Sequence, residues 1–190
     1  GDKERNQTQI QRFEESAQNV LSAGFSPQFF HFSNSAGTLT IENTSQNLLR
    51  PGLVMYGLSP MQDHGETQLQ PLMQWSTRPL QVKTIEAGEK VSYGGHFVAE
   101  RTTRIAVLPV GYADGYPWAS EGRAEVVVRD QRVPVVGAIS MDMTAIDLTD
   151  LADVEELDPV ALLGGDSDKA VRTEEICRWS GRLVYELLCG

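Results

Sequence analysis

Four short stretches of the chain concentrate the residue types that could do chemistry. Residues 49–57 read LRPGLVMYG, residues 90–94 read KVSYG, residues 110–116 read VGYADGY and residues 140–142 read SMD. An arginine can only donate hydrogen bonds, and a glycine lets a ligand approach the backbone closely. A tyrosine can act as a general base if its surroundings favour the phenolate. The set indicates a site that holds an anionic group and moves a proton.

Taken one at a time, the same residues have plain structural interpretations. Arg50 precedes Pro-Gly, where surface-turn residues often stand, and Gly52 would permit that turn. Tyr93 in a strand would be a half-buried packing residue, and Met141 a core residue. The functional interpretation therefore depends on the order of the four stretches along the chain.

In that order, the four stretches resemble the C-terminal part of the pyridoxal-phosphate alanine racemases, which are fold type III enzymes. The resemblance runs from about Gln11 to Glu186. It implies an α/β plus all-β fold: a C-terminal remnant of a (β/α)8 barrel, followed by a β-strand-rich, β-barrel-like domain. The activity it implies is an isomerase that interconverts L-alanine and D-alanine by a two-base mechanism, to supply D-alanine for peptidoglycan.

The resemblance also implies which residues bind the cofactor, pyridoxal 5′-phosphate. Arg50 matches an arginine that faces the pyridine nitrogen, and His31 matches a histidine that orients it. Because a guanidinium only donates, the ring nitrogen stays an unprotonated acceptor and the ring is a weaker electron sink. Ser35 matches a hydroxyl that contacts the cofactor phosphate, and Gly52 and Leu53 match its backbone N–H donors.

Catalytic and substrate-binding residues follow in the second half of the chain. Tyr93 matches the tyrosine that serves as one of the two bases, on the opposite face of the cofactor from a lysine. Since phenols ionise near pH ~10, such a base needs flanking cations. Met141 and Asp142 match a loop whose methionine N–H meets the substrate carboxylate, and Tyr112 matches a tyrosine at the site entrance. No metal ligands are implied.

The family pattern implies a homodimer in which active sites are shared between subunits. The residues of the barrel remnant would serve one cofactor, whereas Tyr93, Tyr112 and Met141 would serve the partner's. A small amino acid is the implied substrate. The lysine that holds the cofactor as a Schiff base is not present in this chain, because Lys3, Lys83, Lys90 and Lys169 all lie outside the family's lysine motif. We therefore expect the chain alone to be inactive.

The elements that must position these residues change in character near residues 60–72, which predicts domains 1–65 and 66–190. Before the change, after a frayed stretch at residues 1–9, we expect a helix from Ile10 to Ala23, a strand at 28–32, a short helix opened by residues 33–36, and a buried strand at 53–56. After it, alternation and apolar runs predict strands at residues 80–85, 90–99, 104–110, 124–128, 133–139, 144–148 and 159–163. A hairpin is expected at Asp130-Gln131 and a helix at 173–179.

Composition narrows the class of protein. A net charge of −10 argues against a nucleic-acid surface, and no apolar run reaches the ~18 residues that would span a membrane. Cys177 and Cys189 lack metal-ligand spacing. We expect them to be buried and reduced, with one disulfide as the alternative. A cytoplasmic location is the expectation, and a periplasmic one stays open.

Two other functions remain as alternatives. A basic amino-acid decarboxylase of the same barrel type would pair an acidic residue with the pyridine nitrogen, so Arg50 argues against it. The other is a non-catalytic β-domain fragment that mediates subunit contacts.

Overall fold

The computed structural model describes residues 3–42, 44–61, 69–151 and 153–189. The chain divides into two compact units, Gly1–Leu72 and Met73–Gly190. The domain boundary expected between residues 65 and 66 lies outside the described residues. No helix among the described residues is long and apolar enough to cross a membrane.

Two α-helices form the regular part of the first unit. Helix α1 spans Lys3–Ser22, so the expectation of a frayed stretch before Ile10 is wrong. Lysine, glutamate, arginine and glutamine favour helix without any apolar periodicity. Gly24 follows in the left-handed conformation, with φ +85°. Helix α2 spans Ser35–Thr40, and the Asn34 side chain caps it by accepting from the Gly37 N–H. The short helix is thereby confirmed.

Both strands expected in the first unit are wrong. At residues 28–32 the described residues contain one isolated parallel bridge, from His31 to Leu48, and no strand. Residues 53–56 form a 3-10 turn, Leu53–Tyr56. The turn ends at Gly57, where φ is +73° and a Cβ would lie 1.7 Å from the Gln70 carbonyl oxygen. The apolar run reflects a tight turn with one buried residue, Leu53.

The second unit is built on antiparallel strands, which confirms the β-rich expectation. The strands are β1 (Trp75–Thr77), β2 (Gln81–Ile85), β3 (Lys90–Val91), β4 (Phe97–Val98), β5 (Thr103–Leu108), β6 (Glu125–Val128), β7 (Gln131–Val136), β8 (Thr144–Asp147) and β9 (Val160–Leu163). Seven of them form one sheet in the order β1-β9-β6-β7-β8-β5-β2. Strands β3 and β4 form a separate two-stranded ribbon.

The large sheet buries apolar side chains on both faces. Val126 and Val128 enter the main core, whereas Val127 between them joins a second cluster with Ile176 and Leu187. Ile105 and Ala145 lie in a third cluster, which includes Val91 of the ribbon. Because both faces are covered, β6 reads as a continuous valine run and not as an alternating pattern.

Three details of the second unit depart from expectation. Residues 90–99 form the ribbon and not one strand, because Ser92, Gly94 and Gly95 have positive φ angles. The tight hairpin loop is Arg129-Asp130, one residue earlier than expected, since Val128 pairs with Gln131 and both loop residues have positive φ. Strand β1 and helix α4 (Val184–Cys189) were not anticipated.

The cysteines also differ from expectation. Both are free thiols, Cys177 half-buried and Cys189 exposed. The prediction that both are buried is therefore wrong, and the alternative disulfide is not formed. Cys189 ends the short helix α4, where only Leu187 faces the interior.

Arg132 ties the sheet to helix α3 (Thr173–Ser180). Its guanidinium donates from Nη1 and Nη2 to both carboxylate oxygens of Glu175, at 2.7 and 2.9 Å. Further bonds reach the carbonyl oxygens of Lys169 and Ala170 and the carboxylate of Glu125. The Arg132 and Glu175 side chains are 25% and 23% exposed. This paired geometry is stronger than an open surface ion pair.

We predict that Arg132→Ala lowers the free energy of unfolding by about 2 kcal/mol, because charge-assisted hydrogen bonds are lost and Glu175 is left without its main partner. Urea unfolding monitored by tryptophan fluorescence measures the change. Arg101→Ala, which removes the exposed ion pair with Asp150, is the matched control and should change stability little. Equal losses in the two variants would contradict the assignment.

The same network predicts a pH dependence. Hydrogen bonding from Arg132 lowers the pKa of Glu175 below its ordinary value of 4.5. A lowered carboxylate pKa stabilises the fold above the ordinary value, and that contribution is lost as the pH falls through the folded-state pKa. Unfolding measured between pH 7 and pH 3 should show a smaller acid loss for Glu175→Gln than for the unaltered chain.

Candidate functional site

The candidate base, Tyr93, lies on a tight turn between β3 and β4. The turn, Tyr93–Gly95, is a 3-10 turn preceded by Ser92, whose φ is +64°. The Tyr93 side chain is 77% exposed. Its position is therefore determined by the backbone of the turn and not by packing of the ring.

The loops that carry Tyr112 and Met141 are locked together through their backbones. The Tyr112 N–H donates to the Ser140 carbonyl at 3.0 Å, and the Ala113 N–H to the Met141 carbonyl at 2.9 Å. A Cβ on Gly111 would lie 2.2 Å from the Ser140 carbonyl oxygen and 2.5 Å from the Asp142 nitrogen. The φ of Gly111 is −143°, which any residue adopts, so glycine is required here for space alone.

A second close approach brings the Tyr93 turn to the same loops. Gly137, with φ +68°, follows β7, and a Cβ there would lie 2.6 Å from the Val91 carbonyl oxygen. The Ser92 hydroxyl donates to the Ala138 carbonyl at 2.6 Å. Three segments of the second unit, residues 92–95, 111–115 and 137–142, are therefore brought together by backbone contacts.

A cleft of about 460 Å³ lies beside the Tyr93 turn. Its floor is apolar and comes from β2, β5 and β8. Lys83, Lys90, Ser92, Tyr93 and Ser140 are among the residues that line it. The two lysines supply positive charge to the cleft that Tyr93 borders.

The two tyrosines of residues 110–116 have different environments. Tyr112 is half exposed, whereas Tyr116 is fully buried and packs edge-on against Trp75, with ring centroids 5.9 Å apart. Burial raises the pKa of the Tyr116 phenol above its ordinary value. Tyr116 is therefore a core residue, and only Tyr112 of this pair can meet a ligand.

In the first unit, the structure brings Arg50 and His31 together. Arg50 Nη1 lies in hydrogen-bond contact with His31 Nδ1. Because a guanidinium only donates, Nδ1 must be the unprotonated acceptor of the ring. The Arg50 backbone N–H also donates to the Ser33 carbonyl at 3.1 Å, so the backbone and the side chain of Arg50 are both held.

A second group in the first unit gathers hydrogen-bond donors. The buried Ser35 hydroxyl oxygen accepts from the Gly52 N–H at 2.9 Å and from the Val54 N–H at 3.4 Å. A Cβ on Gly52 would have only Ser35 Oγ within 4 Å, at 3.9 Å. The space in front of Gly52 is therefore open, and the Ser35 hydroxyl, which accepts from both amides, can donate its own hydrogen to a ligand oxygen there.

The site residues expected from sequence fall into two groups, one in each unit. Ser35, Gly52 and Leu53 lie together in the first unit, as do Arg50 and His31. Tyr93, Tyr112, Met141 and Asp142 lie on the three converging segments of the second. Leu53 is buried at the start of the 3-10 turn, and the second amide that donates to Ser35 Oγ is that of Val54.

Several supporting residues were not anticipated. At Gly111 and Gly137 a Cβ would overlap neighbouring backbone atoms, so glycine allows the segments to approach this closely. His96 and Glu121 form a hydrogen bond beside the Tyr93 turn. Gly111 stands within residues 110–116, so its motif was visible, whereas Gly137 and the His96–Glu121 pair depend on contacts between distant segments.

Two family models match the chain. Residues 72–190 match the alanine racemase C-terminal domain, and residues 1–60 match the alanine racemase N-terminal domain. The first unit is accordingly a short remnant of the barrel domain with its helices, and the second is the antiparallel β domain typical of the family.

Individual relatives agree. The chain is 39% identical over 184 residues to the alanine racemase of Geobacter sulfurreducens, covering 96% of the chain and 48% of that protein. It is 39% identical over 190 residues to that of Syntrophobacter fumaroxidans, covering 100% of the chain and 50% of that protein. Among solved structures, the alanine racemase of Clostridium difficile 630 in complex with cycloserine superposes with a TM-score of 0.89 at 28% identity, over 99% of this chain and 50% of that one.

The Bacillus anthracis alanine racemase with bound L-Ala-P superposes with a TM-score of 0.81 at 32% identity, over 93% of this chain and 46% of that one. The chain spans about half the length of the curated relatives it matches. With the family models covering both units, this chain belongs to the alanine racemase family.

Proposed function

We propose that the chain forms part of a pyridoxal-phosphate-dependent alanine racemase and contributes one of its two catalytic bases, Tyr93. The observation that carries the proposal is the convergence of three segments that hold Tyr93, Tyr112 and Met141 at one place on the β domain. Family membership supplies the reaction class.

The residues of the first unit fit the cofactor that the family uses. A phosphate group needs several donors and no bulky side chain in front of them. Ser35 supplies a hydroxyl beside the open space at Gly52, and Gly52 and Leu53 stand at the start of the 3-10 turn. Ser35, Gly52 and Leu53 would hold the phosphate, and Arg50 would hold the ring nitrogen.

When bound, pyridoxal phosphate supplies an electron sink that makes the α-hydrogen of an amino acid removable. Arg50 limits that sink, since its guanidinium donates to the ring nitrogen and cannot accept a proton from it. His31 contributes by accepting from Arg50 Nη1, which fixes the plane of the guanidinium. Reprotonation at the α-carbon is thereby favoured over transamination.

Tyr93 Oη would remove the α-proton from one enantiomer and, in the reverse direction, would donate a proton on that same face to form it. Racemisation requires a second base on the opposite face, which is a lysine in the family. The Met141 backbone N–H would bind the substrate carboxylate, with Asp142 in the same loop and Tyr112 at the entrance. Lys83, Glu89 and Lys90 line the cleft beside Tyr93.

We further propose that the enzyme is a homodimer whose active sites are shared. Tyr93, Tyr112 and Met141 are all exposed large side chains, and such a group at one place is typical of a surface that meets a partner. A second copy would present its own Arg50 and Ser35 to this surface.

The first prediction concerns Tyr93→Phe in a full-length racemase, in which this chain replaces the matching segment of the Geobacter sulfurreducens relative. Racemisation should fall by at least about a hundredfold, because a general acid–base group is lost. Exchange of the α-hydrogen with deuterated solvent should fall for one enantiomer far more than for the other. NMR of each enantiomer in D2O measures both rates.

Tyr185→Phe is the matched control, since Tyr185 is another exposed tyrosine of the β domain, and it should leave both rates unchanged. Retained cofactor absorbance shows that Tyr93→Phe still binds pyridoxal phosphate. Equal loss of exchange from the two enantiomers would contradict the role of Tyr93 as one of two bases.

A second prediction concerns Arg50→Glu in the same full-length protein. A carboxylate can accept a proton from the ring nitrogen, so the electron sink should become stronger. Pyruvate formed per racemisation event should rise, as measured with lactate dehydrogenase. Arg78→Glu, an exposed arginine of the other unit, is the charge-matched control. Unchanged pyruvate formation would remove Arg50 from the site.

A third prediction concerns the 190-residue chain by itself. It should not racemise alanine, because none of its lysines stands in the family's cofactor-lysine motif. Borohydride reduction with pyridoxal phosphate, followed by peptide mass spectrometry, should give no stoichiometric adduct on a single lysine. A single stoichiometric adduct together with turnover of alanine would overturn this expectation.

A further inference from the structure

We propose that His96, held by Glu121, is a positioning residue for Tyr93. The inference rests on the proposed function of Tyr93 as a base and extends it to two residues that the family resemblance did not mark. His96 Nδ1 lies 2.6 Å from Glu121 Oε1, and the imidazole lies over the turn that carries Tyr93.

The turn needs outside support because its own backbone is strained. The φ angles of Ser92, Gly94 and Gly95 are 64°, 73° and 60°, and the two glycines adopt such angles without strain. Ser92 is not a glycine, and a left-handed conformation is unfavourable for a residue with a Cβ. The hydrogen bond within the turn, from the Gly95 N–H to the Ser92 carbonyl, is long at 3.3 Å. The Tyr93 ring contributes little packing to the turn, since it is mostly exposed.

Two contacts from outside hold this turn. On one side, the Ser92 hydroxyl donates to the Ala138 carbonyl. On the other, the His96 ring covers Gly94 so closely that a Cβ there would lie 2.5 Å from Nε2. The imidazole therefore connects Glu121 to the turn. Its Nδ1 is hydrogen-bonded to Glu121 Oε1, and its Nε2 lies against Gly94.

Glu121 is itself held in place by the backbone contacts of its own turn. It follows the 3-10 turn Trp118–Ser120, and its N–H donates to the Trp118 carbonyl. Ser120 beside it is fully buried, and its carbonyl accepts from the Arg123 and Ala124 N–H groups. Glu121 is 20% exposed, compared with 66% for His96. The buried side of the pair thus fixes the exposed side.

The pair also links two parts of the proposed site. His96 belongs to the segment that carries Tyr93, and Glu121 belongs to the segment that follows Tyr112. Loss of the His96–Glu121 hydrogen bond would loosen the Tyr93 turn. The backbone contacts between residues 111–113 and 140–142 do not involve this pair and would remain. The expected defect is therefore confined to the Tyr93 base.

The first test measures the turn directly, by 15N relaxation of the Gly94 and Gly95 amides in the 190-residue chain. His96→Leu should lower the order parameters from about 0.85 to below about 0.6. Glu121→Gln, which keeps the acceptor oxygen, should preserve them. Glu121→Ala should reproduce the effect of His96→Leu from the other side.

The second test uses the full-length racemase described above and measures α-hydrogen exchange for each enantiomer. His96→Leu should slow exchange for the enantiomer that depends on Tyr93 by between about tenfold and about a hundredfold. The other enantiomer should be much less affected. Glu121→Ala should show the same selective loss, and Glu121→Gln, which keeps the acceptor oxygen, should restore most of it. Arg101→Leu, which breaks the exposed Arg101–Asp150 ion pair, is the matched control.

The outcomes separate the two proposals. Unchanged order parameters in both His96→Leu and Glu121→Ala would overturn the positioning role, whatever the activity of Tyr93→Phe. Equal slowing for both enantiomers, or equal slowing in Glu121→Gln and Glu121→Ala, would also overturn it, because neither result fits a role for the His96–Glu121 hydrogen bond. If Tyr93→Phe fails to act on one enantiomer, the proposed function fails, and the catalytic part of this inference fails with it.

Discussion

The close approach of backbones at Gly111 and Gly137 is the constraint on which the β-domain part of the site depends. At each position the neighbouring carbonyl oxygen occupies the space that a Cβ would need. Backbone contacts have little freedom to adjust, so they fix the loops more strictly than side-chain packing would. Tyr93, Tyr112 and Met141 can thus be exposed and still be held in place.

The sheet beneath these loops supplies the rigidity that the contacts require. Its apolar side chains are buried on both faces, by the main core on one and by the ribbon and helices on the other. Arg132 adds a polar connection from β7 to α3, outside the apolar clusters. A loop supported by this sheet can be strained locally, as at Ser92, because the surrounding fold stabilises it.

In the barrel remnant, side-chain hydrogen bonds hold the candidate site residues, whereas backbone contacts hold those of the β domain. The segments of the remnant run side by side with few ladder bonds, and its functional groups are paired through side chains, Arg50 with His31 and Ser35 with the Gly52 amide. Hydrogen-bond donors are gathered there by turns and not by a sheet. A chain that spans about half the length of its curated relatives can therefore keep these local contacts within its own residues.

The sequence by itself determined the family, the β-rich second unit and the grouping of the expected site residues on a few motifs. Strong alternation at Gln81–Ile85 and the helical signals at Thr173–Ser180 identified their elements because local pattern and burial agree there. Only the tertiary structure decided that residues 53–56 form a turn and that residues 90–99 break into a ribbon. The apolar run at 53–56 ends at Gly57, which lies against the Gln70 backbone, and residues 90–99 are interrupted by positive φ angles at Ser92, Gly94 and Gly95. His96 and Glu121 lie 25 residues apart, and no local pattern relates them, because their contact exists only once the Tyr93 turn has folded against the turn at Trp118–Ser120.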